Sequence, residues 1–337
     1  SIAKGADGLT ALNLVMPLYS IIFSIGEMIG VGSAIRYAIS KIKKDADADD
    51  YFWNALIWCI LSSMLFVFAG IFFSADIMRV LGADEHIVAV GNNYTKIFMC
   101  FAPMFMCNYV TNAFVRNDGA PGIAMSATLF SSLFNIVFDY ILMFPMNLGM
   151  EGAALATALS PIIGMGICSI HFFSKKSSVR LVVCKPSVRK LVAGSQLGVS
   201  AFVGEMSSAV ITLAFNFVIL KLAGNVGVAA YGVVANIAIV TTAVFNGVAQ
   251  GSQPLISSCF GRGDKDGCTQ LKRMGYTTAF VLAAVMYSIL FIFAGQFVAV
   301  FNSEGSEMLR LYATEGVKLY FIGIFFAGIN IVGGGAF

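Results

Sequence analysis

The residue in this chain best placed to do chemistry is an aspartate inside an apolar run. Asp139 sits within residues 122–146, where a charged carboxylate near a bilayer centre costs roughly 2.5–3.5 kcal/mol on insertion scales. Such a group faces a polar cavity, pairs with a cation or takes up a proton. Asn135 lies one turn earlier, so the two side chains share a helical face. A carboxylate and an amide oxygen aimed at one place suit Na⁺, or a proton held on Asp139. The same pair also suits a plain hydrogen-bonded contact between helices. Glu205 and Glu27 are further acids in apolar runs, and Gln250, Gln253, Asn216 and Asn236 lie along two later ones. Amides of this kind line cavities or bond neighbouring helices. Pro17, Pro103, Pro161 and Pro254 interrupt runs and permit bends. His86, His171 and the seven cysteines show no metal or triad spacing, and the cysteines read as packing residues and reduced loop thiols.

The elements that carry these residues must live in lipid. The 337 residues are 58% hydrophobic and 12% charged, with 30 Phe and a mean hydropathy of +0.84. Soluble domains hold about 25% charged residues, and a chain of this size cannot bury so much apolar surface by itself. A net charge of +3 is too mild to point to nucleic acid. Runs of about 18 apolar residues cross the hydrocarbon as helices. Nine are legible, near 9–38, 52–75, 90–115, 122–146, 152–173, 191–221, 227–259, 274–301 and 311–336. A barrel would need alternating strands, and Ala55–Phe73 does not alternate. The fold class is therefore an all-α membrane protein. The chain starts at Ser1 without a cleavable-signal pattern and reads as a fragment or a processed product.

Basic residues crowd alternate loops, among them Arg36, Lys41, Lys43, Lys44, Arg116, Lys175, Lys176 and Arg262, whereas the opposite loops hold only Lys4, Arg79, Lys221, Arg310 and Lys318. That asymmetry places the first set, and the segment 174–190 with it, in the cytoplasm. The chain also repeats itself. Gly32-Ser33 and Asp45 recur as Gly251-Ser252 and Asp264, Phe68-Ala69-Gly70 as Phe293-Ala294-Gly295, Lys96 as Lys318 and Asn108 as Asn330. Residues 8–114 thus match 227–337, and both copies start on the outer side. The repeats are parallel, with an expected site between lobes. The copies are embedded differently, because a helix precedes only the second and two helices follow only the first. A complete molecule is expected to have twelve spans, six per lobe, of which this chain carries nine and lacks the first, eleventh and twelfth. The expected organisation is an N-terminal lobe over 1–173, a linker over 174–190 and a C-terminal lobe over 191–337.

Three stretches then become recognisable: Phe114-Val115-Arg116-Asn117-Asp118-Gly119-Ala120-Pro121, Asn135-Ile136-Val137-Phe138-Asp139, and Leu148-Gly149-Met150-Glu151-Gly152-Ala153-Ala154-Leu155-Ala156-Thr157. With Gly247–Ser257 of the second copy, they resemble the multidrug and toxic compound extrusion (MATE) family in its DinF-like bacterial branch. The resemblance covers essentially the whole chain. It implies a cation-coupled antiporter, driven by Na⁺ or H⁺ without a cofactor, that exports organic and often cationic compounds. It further implies that Asn112, Asn135, Asp139 and Thr157 match the family's cation-site positions. Glu205 matches its acidic position on the seventh helix, with a role toward cationic substrate or proton. The family's site also uses an acid on the first helix, which is missing here, so this chain is expected to lack a complete cation site. Glu27 has Asn246 at its matching position in the second copy; a contact between lobes and substrate binding fit it equally.

These readings lead to alternating access in a monomer of the bacterial inner membrane, whose partners are the lipid bilayer and small organic cations. A lipid-linked saccharide flippase of the same superfamily is the related alternative, although cationic cavity residues would be expected there and the intramembrane charges here are mainly acidic. A truncated remnant that does not transport is another. No nucleophile elbow, nucleotide loop or metal constellation supports an enzyme.

Overall fold

The computed structural model describes residues 5–301 and 306–334, leaving out several side chains in residues 5–14 and 209–229. The described chain is helical: α1 (Gly5–Ile42), α2 (Asp50–Val80), α3 (Glu85–Cys100), α4 (Ala102–Asn117), α5 (Pro121–Met143), α6 (Gly149–Phe172), α7 (Val188–Arg262), α8 (Lys265–Ile292), α9 (Ala294–Phe301), α10 (Glu307–Tyr320) and α11 (Ile324–Gly334). Among the described residues seven helices are long and apolar enough to cross a membrane, and the pair α3–α4, bent by 45°, makes an eighth. The bend falls where Pro103 removes a backbone donor at the start of α4. Apolar side chains such as Leu65, Ile136 and Phe326 are 70%, 67% and 75% exposed. In water each would forfeit roughly 1.5–3 kcal/mol of burial, whereas lipid takes them at no such cost.

The 75 residues of α7 cannot run straight. Phe215 and Tyr231 would then stand about 24 Å apart, yet their rings stack at 5.3 Å. A Cβ placed on Gly227 would also come within 2.9 Å of Ile219 Cγ2. The chain therefore doubles back between Phe215 and Tyr231, where the sequence calls for a link between two spans.

Two compact units result, residues 1–203 and 204–337. In the first, α1 lies directly on α4. A Cβ on Gly26 would meet Met106 Cα at 3.1 Å, and one on Gly30 would meet Val110 N at 2.9 Å. Glycines let the two backbones approach this closely. Phe23, Phe98, Phe105 and Tyr109 fill the space beside the crossing with edge-on and tilted rings. The other side of α1 meets the start of α7 through Gly32, Gly194 and Gly198, again backbone to backbone. In the second unit, Val233, Val234, Ile237 and Phe245 of α7 pack with Ala279, Val317, Phe321 and Ile324.

The repeat is visible in backbone detail. Lys44 (φ 59°) and Gly263 (φ 75°) are both left-handed residues closing a helix. Each is followed by an aspartate whose N–H reaches back 3.0 Å, Asp45 to Ser40 O and Asp264 to Cys259 O. Asp84 and Ser306 then cap α3 and α10 through their side chains, at 2.8 Å and 3.3 Å. Both copies next break a helix, at Phe101 and at the 3₁₀ turn Phe321–Gly323.

Candidate cation-binding site

Asp139 stands on the face of α5 that meets α6, and it is half-buried. One of its carboxylate oxygens, Oδ1, is buried with no hydrogen-bond partner. Asn135, one turn back, donates from Nδ2 to Thr157 Oγ1 of α6 at 3.4 Å, which joins two of the four residues drawn from the family resemblance, with Asp139 one turn along the same face. Two residues that the sequence reading missed complete the group. The hydroxyls of Tyr19 on α1 and Tyr94 on α3 bond each other, and the Tyr94 hydroxyl lies near the Thr157 side chain. Both tyrosines lie within electrostatic range of the Asp139 carboxylate. Tyr19 is held by its ring, which stacks on Phe98 at 3.7 Å. A phenol inside an apolar span needs a partner for its hydroxyl, and that requirement was the available signal for Tyr19 and Tyr94.

Four helices thus bring a carboxylate, an amide and three hydroxyls together. All supply oxygens, the ligand type hard cations prefer, and a proton on Asp139 would satisfy the bare oxygen equally well. Asn112 is engaged elsewhere. Its Nδ2 donates to Asn108 O at 3.0 Å and to Asn108 Oδ1 at 2.9 Å, and its own Oδ1 is buried without a hydrogen bond.

Glu27 acts electrostatically on Arg116 of α4, so its charge has a counter-charge within the same unit. His171 also gains a partner, Asp118 at 2.8 Å. In the second unit Glu205 is half-buried on α7. Gln253 is buried with Oε1 unbonded, Gln250 is half-buried, and Asn236 is exposed and donates to Gly232 O of its own helix at 2.8 Å. Asn216 lies outside the described side chains. A cavity of about 690 Å³ in this unit is lined instead by Phe215, Tyr231, Thr241, Phe245, Tyr320 and their neighbours; none of Glu205, Gln250, Gln253 and Asn236 reaches it.

Known proteins share both the sequence and the fold. The chain matches the MatE family over residues 1–141 and 201–337. It is 26% identical over 334 residues to the multidrug export protein MepA of Staphylococcus saprophyticus, covering 95% of this chain and 72% of that protein. Against MepA of Staphylococcus aureus strain MRSA252 it is 28% identical over 310 residues, 91% of this chain and 66% of the relative. The chain therefore spans about two thirds of the length of these relatives. Among solved structures, an outward-facing multidrug resistance MATE family transporter of the MOP superfamily superposes with a TM-score of 0.85 at 21% identity, over 98% of this chain and 76% of the other. A MOP superfamily transporter from Pyrococcus furiosus gives 0.85 at 20% identity, over 99% and 80%. At those identities the structural likeness shows the fold. Taken with the family match over most of its length, it means that the chain belongs to the MatE family, whose members are membrane transporters and not enzymes.

Proposed function

We propose that the chain is the greater part of a cation-coupled exporter of organic cations that works by alternating access. The observation that carries this reading is the bare, buried Oδ1 of Asp139 amid Tyr19, Tyr94, Asn135 and Thr157. A carboxylate oxygen left without a donor inside a span stores an unfavourable interaction that Na⁺ or H⁺ relieves. Because four helices contribute to the group, relieving it biases how they pack, and a two-state transporter needs such a bias. Asn112, one helix away, joins the group in this reading when α4 shifts. Glu205 supplies the second unit with a negative charge toward a cationic substrate, while Gln250, Gln253 and Asn236 line the path. Glu27, already facing Arg116, serves packing. The relatives' description as multidrug export proteins supports export of drug-like compounds. The loop basicity supports a bacterial inner membrane with the segment 174–190 on the cytoplasmic side, and the protein acts as a monomer.

The test is efflux of a fluorescent organic cation from vesicles carrying the protein, with Na⁺ exchanged for K⁺ at fixed pH and pH varied at fixed Na⁺. Asp139→Asn is expected to abolish the dependence on the driving ion. Ion-dependent efflux that survives this substitution removes Asp139 from the mechanism.

A further inference from the structure

The stretch Arg116-Asn117-Asp118-Gly119 has a role that the cation site does not absorb. Asp118 closes α4 with its side chain only 3% exposed. A carboxylate that buried is tolerated when donors surround it, and four do. Tyr37 Oη of α1 donates to Oδ1 at 3.1 Å. Three donors converge on Oδ2: His171 Nε2 of α6 at 2.8 Å, Ser177 Oγ at 3.0 Å and the Ser178 backbone N–H at 2.9 Å. An ionised carboxylate only accepts, so His171 presents a protonated Nε2. The serine bonds the carboxylate and not the imidazole, so the three groups do not form a nucleophilic triad.

Two of the four donors belong to the segment between α6 and α7, and the rest of that segment is tied down in sequence. Val179 is inserted into the core of the first unit. The Arg180 N–H donates to Asp49 Oδ1 at 3.2 Å, and the Ser187 N–H to Asn54 Oδ1 at 2.6 Å. Lys190, at the start of α7, pairs with Asp50. A connection fastened at each of these points has no slack to absorb motion. We infer that Asp118 is a positioning residue: it clamps the α6–α7 segment to the ends of α1, α4 and α6, so that rearrangement of those helices is carried to the start of α7. The inference rests on the transport reading above, but the clamp itself is measurable without transport.

Hydrogen–deuterium exchange of the intact chain in detergent tests the clamp, and efflux kinetics test its consequence. In Asp118→Ala, amides of 174–183 are expected to exchange roughly tenfold faster or more, the factor that one lost charge-assisted hydrogen bond represents. Amides of α5 stay as they were. Asp118→Asn, which keeps a carbonyl acceptor, falls between. In efflux, Asp118→Ala lowers kcat with KM unchanged, and Asp118→Asn restores part of it. Unchanged exchange over 174–183 overturns the clamp, and faster exchange with unaltered kcat overturns the positioning role. If Asp118→Ala also loosens α5, Ser177→Ala replaces it. A smaller acceleration confined to the segment then supports the clamp, and its absence overturns it. Absence of efflux from the unsubstituted protein refutes the transport reading instead, and the exchange result still decides the clamp.

Discussion

Gly30→Ala should destabilise the protein, although helix propensity alone says the opposite. Alanine is favoured over glycine in a helix interior by about 0.8–1 kcal/mol, so an unobstructed site gains from the change. At Gly30 the new methyl would meet Val110 N at 2.9 Å, Tyr109 C at 3.0 Å and Val110 Cα at 3.1 Å. All three are backbone atoms of α4 and cannot rotate away. To restore ordinary contact α1 must retreat by roughly 0.5 Å or more, which forfeits up to a quarter or half of each dispersion contact along the crossing. Overpacking of this kind costs about 1–3 kcal/mol. The Tyr37–Asp118 bond, already 3.1 Å long, stretches with it. Gly166 of α6 is the internal control, because a Cβ there meets nothing within 4 Å. The propensity gain is common to both substitutions, so the difference between them isolates the packing cost. Thermal unfolding in detergent, followed by a fluorescent thiol dye or light scattering, should place Gly30→Ala several degrees below Gly166→Ala. Equal midpoints would show that the α1–α4 crossing is not set by glycine contact, and the positions of Tyr19 and Tyr37 would then need another cause.

Two further expectations follow from side-chain chemistry. Tyr94→Phe keeps the ring and removes the hydroxyl bonded to Tyr19. The concentration of driving ion at half-maximal efflux should rise about fivefold to tenfold, as for one hydrogen bond of about 1 kcal/mol, and an unchanged value would exclude Tyr94 from the site. Burial and the neighbouring Asp50 carboxylate push the Cys184 thiol above its ordinary range. A raised pKa leaves less thiolate at any given pH. With the other cysteines replaced by Ala, Cys184 should alkylate more slowly at pH 7 in the folded chain than in urea, and Asp50→Asn should speed it.

The spans were legible because each is a long apolar run, and the break between α3 and α4 because Pro103 announces it. The repeat was legible from a handful of matched residues, among them Asp45 and Asp264, which occupy the same turn. Pairings between distant residues were not. Helical periodicity tells which face Asn135 and Asp139 share, but not that α1 and α3 deliver Tyr19 and Tyr94 to that face. Thr157 came from the family resemblance and does meet Asn135. Asn112 came from the same source, and its amide bonds Asn108, one turn back on α4. The bond between His171 and Asp118 was hidden for the same reason: the two are 53 residues apart in the chain.

The repeat makes one more statement that can be tested, because it assigns opposite signs to equivalent substitutions. The register of the matched turns puts Tyr19 opposite Ala238, and that of Lys96 and Lys318 puts Tyr94 opposite Gly316. Where the first unit joins two phenols through their hydroxyls, the second has a methyl and a hydrogen, and both Ala238 and Gly316 line its 690 Å³ cavity. The same fold position is therefore filled and polar in one copy, open and largely apolar in the other. That difference fits the proposal that the coupling ion binds in the first unit. Tyr19→Ala should open a hole beside Phe98 and cost about 3–5 kcal/mol, as large-to-small core changes do. Ala238→Phe should enter existing space and leave stability unchanged or raise it by about 0.5–2 kcal/mol, as cavity-filling substitutions do. If Ala238→Phe instead unfolds the protein as readily as Tyr19→Ala, the two positions are not equivalent, and the division of labour between the copies falls with them.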